Sequence, residues 1–206
     1  TVAIGYAALQ SQNFSTSTDS YNTAVGYGAG SSVTTGVENV IIGANAGDAL
    51  TDADRNTALG LGAIGSDTLG SRSTAIGYAA LNTQNFTTAT NSLNTAVGYE
   101  AGTAVTTGVN NTYVGALSGK DATTGTRNTA LGNYSGASDQ NSSGGSGDDN
   151  VWIGHQAGMK SSSASDNVAL GSFAGDAITT GTENVFVGAL AGSALIDASS
   201  NVGVGR

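Results

Sequence analysis

The acidic residues that could do chemistry in this sequence recur at equivalent positions along the chain. Asp149, Asp166 and Glu183 occupy the same position in three consecutive repeat units, each five residues before a glycine. Carboxylates stacked at one position repel one another, and a bound Ca²⁺, which prefers oxygen ligands, would relieve that repulsion. The stretch GGSGDD at 144–149 resembles one calcium-binding turn, although such turns bind calcium in tandem copies. The three acids are therefore a calcium candidate, with a simply solvated stripe as the alternative.

Other catalytic signatures are weak. His155 is the only histidine and there is no cysteine, so neither a common zinc site nor a histidine-based relay can be assembled. The run GLGAIG at 60–65 matches the dinucleotide-binding fingerprint in letters, but that function needs a helix directly after the turn. No irregular unit collects acids and aromatics for glycoside cleavage. We therefore expect no enzymatic activity and no cofactor other than the calcium candidate, with a polysaccharide-active β-helix protein as the outlying alternative.

Three units are longer than the rest, and their extra residues are candidate binding elements. QSQNFSTSTDSY, NTQNFTTATNSL and SDQNSSGGSGDDN predict longer corner loops near residues 10–21, 82–93 and 138–149. Insertions in a repeat protein map to loops on one face, often the binding face. Phe14 and Phe86 occupy equivalent places in the first two loops and are the candidates for ligand contact. The alternative is that each ring folds back onto its own loop.

Composition excludes several classes of protein. The 206 residues carry 15 acidic and 6 basic side chains, a net charge of −9, which argues against binding nucleic acid. The 32 glycines, spread over the whole length, disfavour a helical bundle. No apolar run approaches the ~18 residues of a membrane span, so we expect no membrane insertion by this segment. Because the chain opens and closes in mid-repeat, we expect it to be a segment of a longer fibre chain.

A repeat that recurs twelve times must position all of these residues. An aliphatic residue followed by glycine returns at a regular step, which lengthens only where one of the three longer units intervenes. We call these the corner glycines: Gly5, Gly26, Gly43, Gly60, Gly77, Gly98, Gly115, Gly132, Gly154, Gly171, Gly188 and Gly205. Three residues before each stands Thr or Val, which shares a strand face with the aliphatic residue. Four residues before the corner glycine, ten of the twelve units carry Asn. This recurrence predicts a ladder of stacked side-chain amides.

The repeat predicts an all-β fold, a single-stranded parallel β-solenoid of about twelve turns of roughly 17 residues that fills 1–206 as one domain. A coil lined by Val, Ile and Thr is thin and buries little apolar surface. We therefore expect the middle residue of each strand, mostly alanine, to face outward and join identical chains in a symmetric homotrimer. The candidate interface residues are Ala96, Tyr113, Ala130, Trp152, Ala169 and Phe186. The alternative is that these aromatics fill widened turns of their own chain.

The units NTAVGYGAG, NTALGNYSG and NTAVGYEAG resemble the head repeats of trimeric autotransporter adhesins and, still more, the NTAxGYxAG arrays of phage tail-fibre proteins. The resemblance covers essentially the whole chain. It implies a left-handed parallel β-roll in a homotrimer, located outside the cell on a virion fibre or a bacterial surface. It also implies a structural shaft or head of an attachment fibre whose partners are its own copies and a host or surface receptor, with glycans among the candidates. The longer period of the NTAxGYxAG form favours a phage tail fibre, and a bacterial surface adhesin or appendage of autotransporter type is the alternative.

Overall fold

The computed structural model describes residues 1–137 and 145–206, and this part of the chain is built from strands and turns. No helix in it is long and apolar enough to cross a bilayer. The strands are β1 (Val2–Ile4), β2 (Thr23–Val25), β3 (Val40–Ile42), β4 (Thr57–Leu59), β5 (Gly70–Ser71), β6 (Thr74–Ile76), β7 (Thr90–Asn91), β8 (Thr95–Val97), β9 (Thr112–Val114), β10 (Thr129–Leu131), β11 (Val151–Ile153), β12 (Val168–Leu170), β13 (Val185–Val187) and β14 (Val202–Val204).

Twelve of these strands form one parallel sheet in the order β1-β2-β3-β4-β6-β8-β9-β10-β11-β12-β13-β14. Each strand pairs with the equivalent residues of the next turn, as Thr129 does with Val151 and Leu131 with Ile153. Like residues therefore lie above like residues along one axis, one strand per turn. The predicted parallel β-solenoid of about twelve turns is confirmed, and equivalent residues of most neighbouring turns lie 17 residues apart. The remaining strands, β5 and β7, form a two-stranded parallel sheet beside the longer unit at 82–93.

Each strand of the large sheet is followed by a corner glycine because the turns stack too closely there for a side chain. All twelve corner glycines have φ between 122° and 143°, a region that side chains other than hydrogen rarely allow. A Cβ on Gly26 would also lie 2.5 Å from the carbonyl oxygen of Gly43 in the next turn. The strict recurrence of glycine at this position is thus a condition of stacking one turn upon the next.

The predicted asparagine ladder is confirmed. Asn39 Oδ1 accepts a hydrogen bond of 2.9 Å from the backbone N–H of Asn56, one turn on. Asn39 Nδ2 donates to the carbonyl of Ala53 at 2.8 Å and to Asn22 Oδ1 at 3.2 Å. The side chain is fully buried. Each buried amide therefore binds backbone groups of its own and the neighbouring turn, which holds the turns in register.

The middle residue of each strand points into the coil, and the two outer residues point away from it. From Ala24 to Phe186 at most 2% of each middle residue is exposed. The prediction that this position faces outward is wrong, and with it the assignment of the subunit contact to Ala96, Tyr113, Ala130, Trp152, Ala169 and Phe186. The physical reason is that the ladder asparagine, two residues earlier, shares the strand face of the middle residue, and its backbone partners lie inside. The alternative, that the aromatics fill their own chain, is confirmed.

Glycines beneath the large rings make room for them in a narrow interior. A Cβ on Gly102 would lie 2.9 Å from Tyr113 Cδ2, one on Gly136 would lie 2.7 Å from Trp152 Cδ1, and one on Gly192 would lie 2.7 Å from Phe186 Cδ1. In the turns of Ala58 and Ala75, the residue four after the corner glycine is instead a larger buried side chain, Ile64 or Leu81. Glycine beside the large rings and larger side chains beside these two alanines keep the interior densely packed.

Candidate functional site

The first and third residues of the twelve strands in the large sheet form a continuous surface that we call the aliphatic face. All 24 of these residues are half-buried or exposed. The third residue is always Ile, Val or Leu, and the first is Val or Thr. Leu59, Leu131 and Leu170 are 43%, 46% and 45% exposed. Nothing in the described chain covers this face, although most of its side chains are apolar.

The aliphatic face is large for a surface left in water. At ~4.8 Å per strand its length is about 53 Å, and with a width of about 10 Å its area is about 500 Å². Monomeric proteins rarely expose larger apolar patches than this. Two stacked tyrosine pairs directly after corner glycines border it, Tyr6 with Tyr27 and Tyr78 with Tyr99, each with ring centroids 5.2 Å apart. Two copies meeting through the face would bury about 1,000 Å², the lower bound for a specific interface.

Sequence reasoning missed this face although the sequence contains a signal for it. The ladder asparagine and the middle residue are two positions apart, as in Asn94 and Ala96, and therefore lie on one side of the strand. A ladder of amides that bind backbone groups belongs inside, so the middle residues belong inside too. The aliphatic residues on the other side are then the exposed ones.

The acidic stripe predicted as a calcium candidate does not form a compact cluster in the described residues, and calcium binding there stays a prediction. Arg127 binds Asp149 through two hydrogen bonds of 2.6 Å, and this lowers the pKa of the Asp149 carboxyl. Glu183 accepts a hydrogen bond of 3.0 Å from the Ser200 hydroxyl. Within residues 1–137 and 145–206 no group of three or more His, Asp or Glu side chains comes together so that it could hold a metal ion. Gly144 of the GGSGDD stretch lies outside the described residues.

The loop phenylalanines differ from what ligand contact requires. Phe86 is only 6% exposed. Its ring lies over Gly70, where an added Cβ would be 2.8 Å from Phe86 Cδ2. Phe86 therefore packs against the preceding turn, and not only against its own loop as the alternative had it. Phe14 is half-buried, and its contact with a ligand stays a prediction. In the third long loop, residues 138–144 lie outside the described residues.

A buried polar network anchors the loop at 82–93, which we call the inserted loop. Gln84 is fully buried, and its Nε2 donates to Asp67 Oδ2 at 2.5 Å. Asp67, also fully buried, accepts further hydrogen bonds of 3.0 Å from the backbone N–H groups of Gly70 and Phe86. Gln84 Oε1 accepts 2.8 Å from Asn94 Nδ2. Every polar group in this network has a partner, so the base of the loop is held rigidly.

Beside the inserted loop, a groove of about 500 Å³ opens to solvent between β7 and the two preceding turns. Its polar lining includes Asp52, Asp54, Arg55, Arg72, Thr90 and Asn91. The hydroxyls of Thr34 and Thr35 each donate to Asp52 Oδ1 at 2.6 Å, and these hydrogen bonds lower the pKa of the Asp52 carboxyl. Asp54 Oδ1 accepts 2.9 Å from the backbone N–H of Val37. Both carboxylates are thus fixed in place by neighbours in the preceding turn.

The interior offers no comparable space beside its largest rings. The cavity that Tyr113 and Trp152 line has a volume of about 20 Å³, room for one water molecule but not for a sugar or a cofactor. Burial raises the pKa of the Tyr113 hydroxyl, which has no hydrogen-bond partner within the described chain. His155 is exposed and packs edge-on against Phe173, with ring centroids 5.2 Å apart. The two outer surfaces, the aliphatic face and the groove, are therefore the candidate functional sites.

Comparison with known proteins finds no matching protein-family model, no matching curated protein and no matching solved structure.

Proposed function

We propose that this β-solenoid is the structural shaft or head of a homotrimeric extracellular fibre that attaches to a host or another surface. The observation that carries the proposal is the aliphatic face, which stays uncovered along all twelve strands of the large sheet. A surface of this size and apolarity is stabilised when copies of the chain cover it for one another. Because the face repeats at every turn, identical chains aligned along one axis place like rows against like rows.

The mechanism of such a fibre is mechanical. Backbone hydrogen bonds of the parallel sheet and the asparagine ladder both run from turn to turn, along the axis of the coil. Load along the axis is therefore shared by many hydrogen bonds in every turn. A rod of this kind holds a receptor-binding element at a distance from the particle or cell that carries it.

Sedimentation equilibrium of the full chain tests the homotrimer. One chain has a mass of 20.0 kDa, and the trimer should have three times that mass. Leu170→Asp places a charge on the aliphatic face, where it would be buried without a partner in the trimer, and we expect the mass to fall to that of one chain. Ile196→Asp is the matched control, because Ile196 is 56% exposed and lies outside that face. The control should keep the trimer mass, and circular dichroism should show unchanged strand content in both variants.

The homotrimer proposal fails if the parent chain sediments with the mass of one or two copies. It also fails if Leu170→Asp and Ile196→Asp keep the same trimer mass, because the aliphatic face would then not be the contact.

The NTAxGYxAG repeat, through its resemblance to tail-fibre arrays, favours a phage tail fibre over a bacterial adhesin or appendage. Immunogold labelling with antibodies against the chain distinguishes the two. Gold on virion fibres supports the tail fibre, gold on the bacterial surface supports the adhesin, and gold confined to the cell interior overturns the extracellular location.

A polysaccharide-active enzyme is the contrasting function, and the groove is where its acids would lie. A general acid needs a raised pKa, whereas the threonine hydroxyls lower the pKa of Asp52. We therefore expect no new reducing ends when the chain is incubated with polysaccharide. Turnover that disappears in Asp54→Asn would overturn the purely structural function.

A further inference from the structure

We propose that the groove beside the inserted loop binds an acidic saccharide, a sugar residue that presents one carboxylate to Arg72. This inference rests on the proposed attachment function, because it names the class of receptor that the fibre would recognise. The groove volume of about 500 Å³ falls within the ~300 to 1,000 Å³ typical of small-ligand sites.

Arg72 carries a positive charge that no acidic side chain pairs with in the described part of the chain. It stands five residues before its corner glycine, in a stack that also contains Arg55 and Arg127. Each of these two is ion-paired: Arg55 Nε lies 2.6 Å from Glu38 Oε2, and Arg127 Nη2 lies 2.6 Å from Asp149 Oδ2. Within the described part of the chain, no carboxylate lies within 4.0 Å of the Arg72 guanidinium.

The neighbours of Arg72 explain why it is left unpaired. The equivalent residue one turn before is Arg55, which Glu38 already neutralises, and the equivalent one turn after is Leu93. An exposed guanidinium of this kind can bind an external anion locally. A planar carboxylate can accept two parallel hydrogen bonds from the N–H groups of the Arg72 guanidinium.

The remaining groups in the groove suit hydroxyls. The side chains of Asp52 and Asp54 are held in place by hydrogen bonds from the preceding turn, all of them to Oδ1. In each side chain the second carboxyl oxygen can accept a hydrogen bond from a ligand hydroxyl. The Asn91 side chain is exposed and makes no hydrogen bond with the described residues, so its amide can both donate and accept. A sugar residue with one carboxylate and several hydroxyls satisfies all of these side chains. A divalent cation does not, because Arg55 and Arg72 line the same groove.

The wall that carries Asn91 is rigid before any ligand arrives. Ser92 N–H donates to the Ser71 carbonyl at 3.0 Å, and the Ser92 hydroxyl donates to the same oxygen at 2.9 Å. Ser71 Oγ in turn accepts 3.0 Å from the backbone N–H of Asp54. Binding therefore orders few additional groups, which lowers its entropic cost. None of these residues belongs to the aliphatic face, so assembly through that face does not consume them.

Isothermal titration of the full chain with trigalacturonate tests the proposal, and the trimethyl ester of the same trisaccharide is the neutral control. We expect the ester to bind at least tenfold more weakly than the acid. Arg72→Gln should weaken trigalacturonate binding at least tenfold. Arg127→Gln is the matched control, since it removes an arginine from the same position of another turn, away from the groove, and it should bind like the parent.

Three results would overturn the acidic-saccharide site: no binding of trigalacturonate, equal binding of acid and ester, or equal losses in Arg72→Gln and Arg127→Gln. Competition with inorganic phosphate separates an acidic sugar from any small anion. Displacement at equal concentrations of phosphate and trigalacturonate would mean that the groove recognises charge alone. Sedimentation of the same samples keeps the two proposals apart, because a monomer that binds refutes the trimer only, and a trimer that does not bind refutes the groove only.

Discussion

Two of the longer units cross the asparagine ladder in different ways. Between Asn128 and Asn150 the ladder continues, and Asn128 Oδ1 accepts 3.1 Å from the N–H of Asn150. Between Ser73 and Asn94 the ladder is interrupted, because serine has no side-chain amide with which to hydrogen-bond the next turn. There, Ser73 Oγ hydrogen-bonds to Ser92 Oγ at 2.6 Å and Asn94 Nδ2 turns to Gln84. A longer unit by itself does not break the ladder, whereas loss of the asparagine does.

The interruption also changes the core next to it. Seven residues after the corner glycine, four regular turns bury an apolar side chain: Val33, Leu50, Val105 and Ile178. The two turns at the interruption place Asp67 and Gln84 there, both fully buried. The polar pair supplies the hydrogen bonds that the missing asparagine cannot, and it ties down the inserted loop that forms one wall of the groove. As a result, the core contains the buried carboxylate of Asp67, which is tolerated only while each of its hydrogen-bond donors is present.

The largest effect that follows from this comparison is expected for Asp67→Ala. The change leaves three buried N–H groups without an acceptor, the backbone N–H groups of Gly70 and Phe86 and one of the two N–H groups of the Gln84 amide, whose other N–H donates to Ser73 Oγ. At about 1 to 3 kcal/mol for each unsatisfied group, we expect a loss of about 4 kcal/mol in the free energy of unfolding, measured in urea.

Asp197→Ala is the control for Asp67→Ala. Asp197 accepts hydrogen bonds of 2.7 and 2.8 Å from the Thr179 and Thr180 hydroxyls, but it is exposed and water can replace it. We therefore expect a much smaller loss of stability than for Asp67→Ala. Equal losses in the two variants would show that the polar pair is not a structural unit.

A smaller effect is expected for Asn167→Ala in the regular ladder. Asn167 Oδ1 accepts 3.0 Å from the N–H of Asn184, and its Nδ2 donates 2.8 Å to the Gly181 carbonyl. The variant leaves these two buried backbone groups unpaired, at a cost of about 3 kcal/mol. Ser73→Ala removes one hydroxyl from a site where Gln84 and Ser92 keep other partners, and we expect about 1 kcal/mol. Urea unfolding of the two variants measures the difference. If Ser73→Ala costs as much as Asn167→Ala, the interruption is as tightly coupled as the ladder.

The coiled architecture was predictable because the repeat constrains it twice. A glycine at every corner and an asparagine at one fixed position, both returning at the same step, leave only a stack of equivalent turns. Which face of the strand points inward was predicted wrongly. Period-two alternation tells which residues share a face but not which face is inside, and here the inside is decided by the buried amides of residues such as Asn94 together with small middle residues such as Ala96.

The groove could not be predicted from the sequence. It depends on the pairing of β5 with β7, which brings Asn91 beside Ser71 of the preceding turn. No motif joins Arg72 to Asn91 or to Asp52. The unpaired state of Arg72 was in principle visible, because the stack of residues five before the corner glycines places Arg55 and Leu93 on either side of it.

The smallest effect concerns an acid that, unlike Asp67, lacks full hydrogen bonding. Asp176 is half-buried, its Oδ1 has no hydrogen-bond partner within the described residues, and burial raises the pKa of its carboxyl above 3.8. The ionised form is therefore less favourable in the folded than in the unfolded chain. This destabilises the fold above the folded-state pKa, and the effect vanishes once both states are protonated below 3.8. Asp176→Asn should raise the unfolding temperature by about 1 °C at neutral pH and leave it unchanged near pH 3.

Asp197→Asn is the matched control for Asp176→Asn, because the pKa of the Asp197 carboxyl is shifted in the opposite direction. Hydrogen bonds from Thr179 and Thr180 lower the pKa of the Asp197 carboxyl, so its ionised form stabilises the fold above the unfolded-state value of 3.8. That contribution is lost as the pH falls through the folded-state pKa. Asp197→Asn should therefore lower the unfolding temperature at neutral pH and have little effect in acid. If thermal unfolding across this pH range gives the same sign for both variants, then the hydrogen bonding of each carboxylate does not govern its effect, and the contrast drawn between Asp67 and Asp176 fails with it.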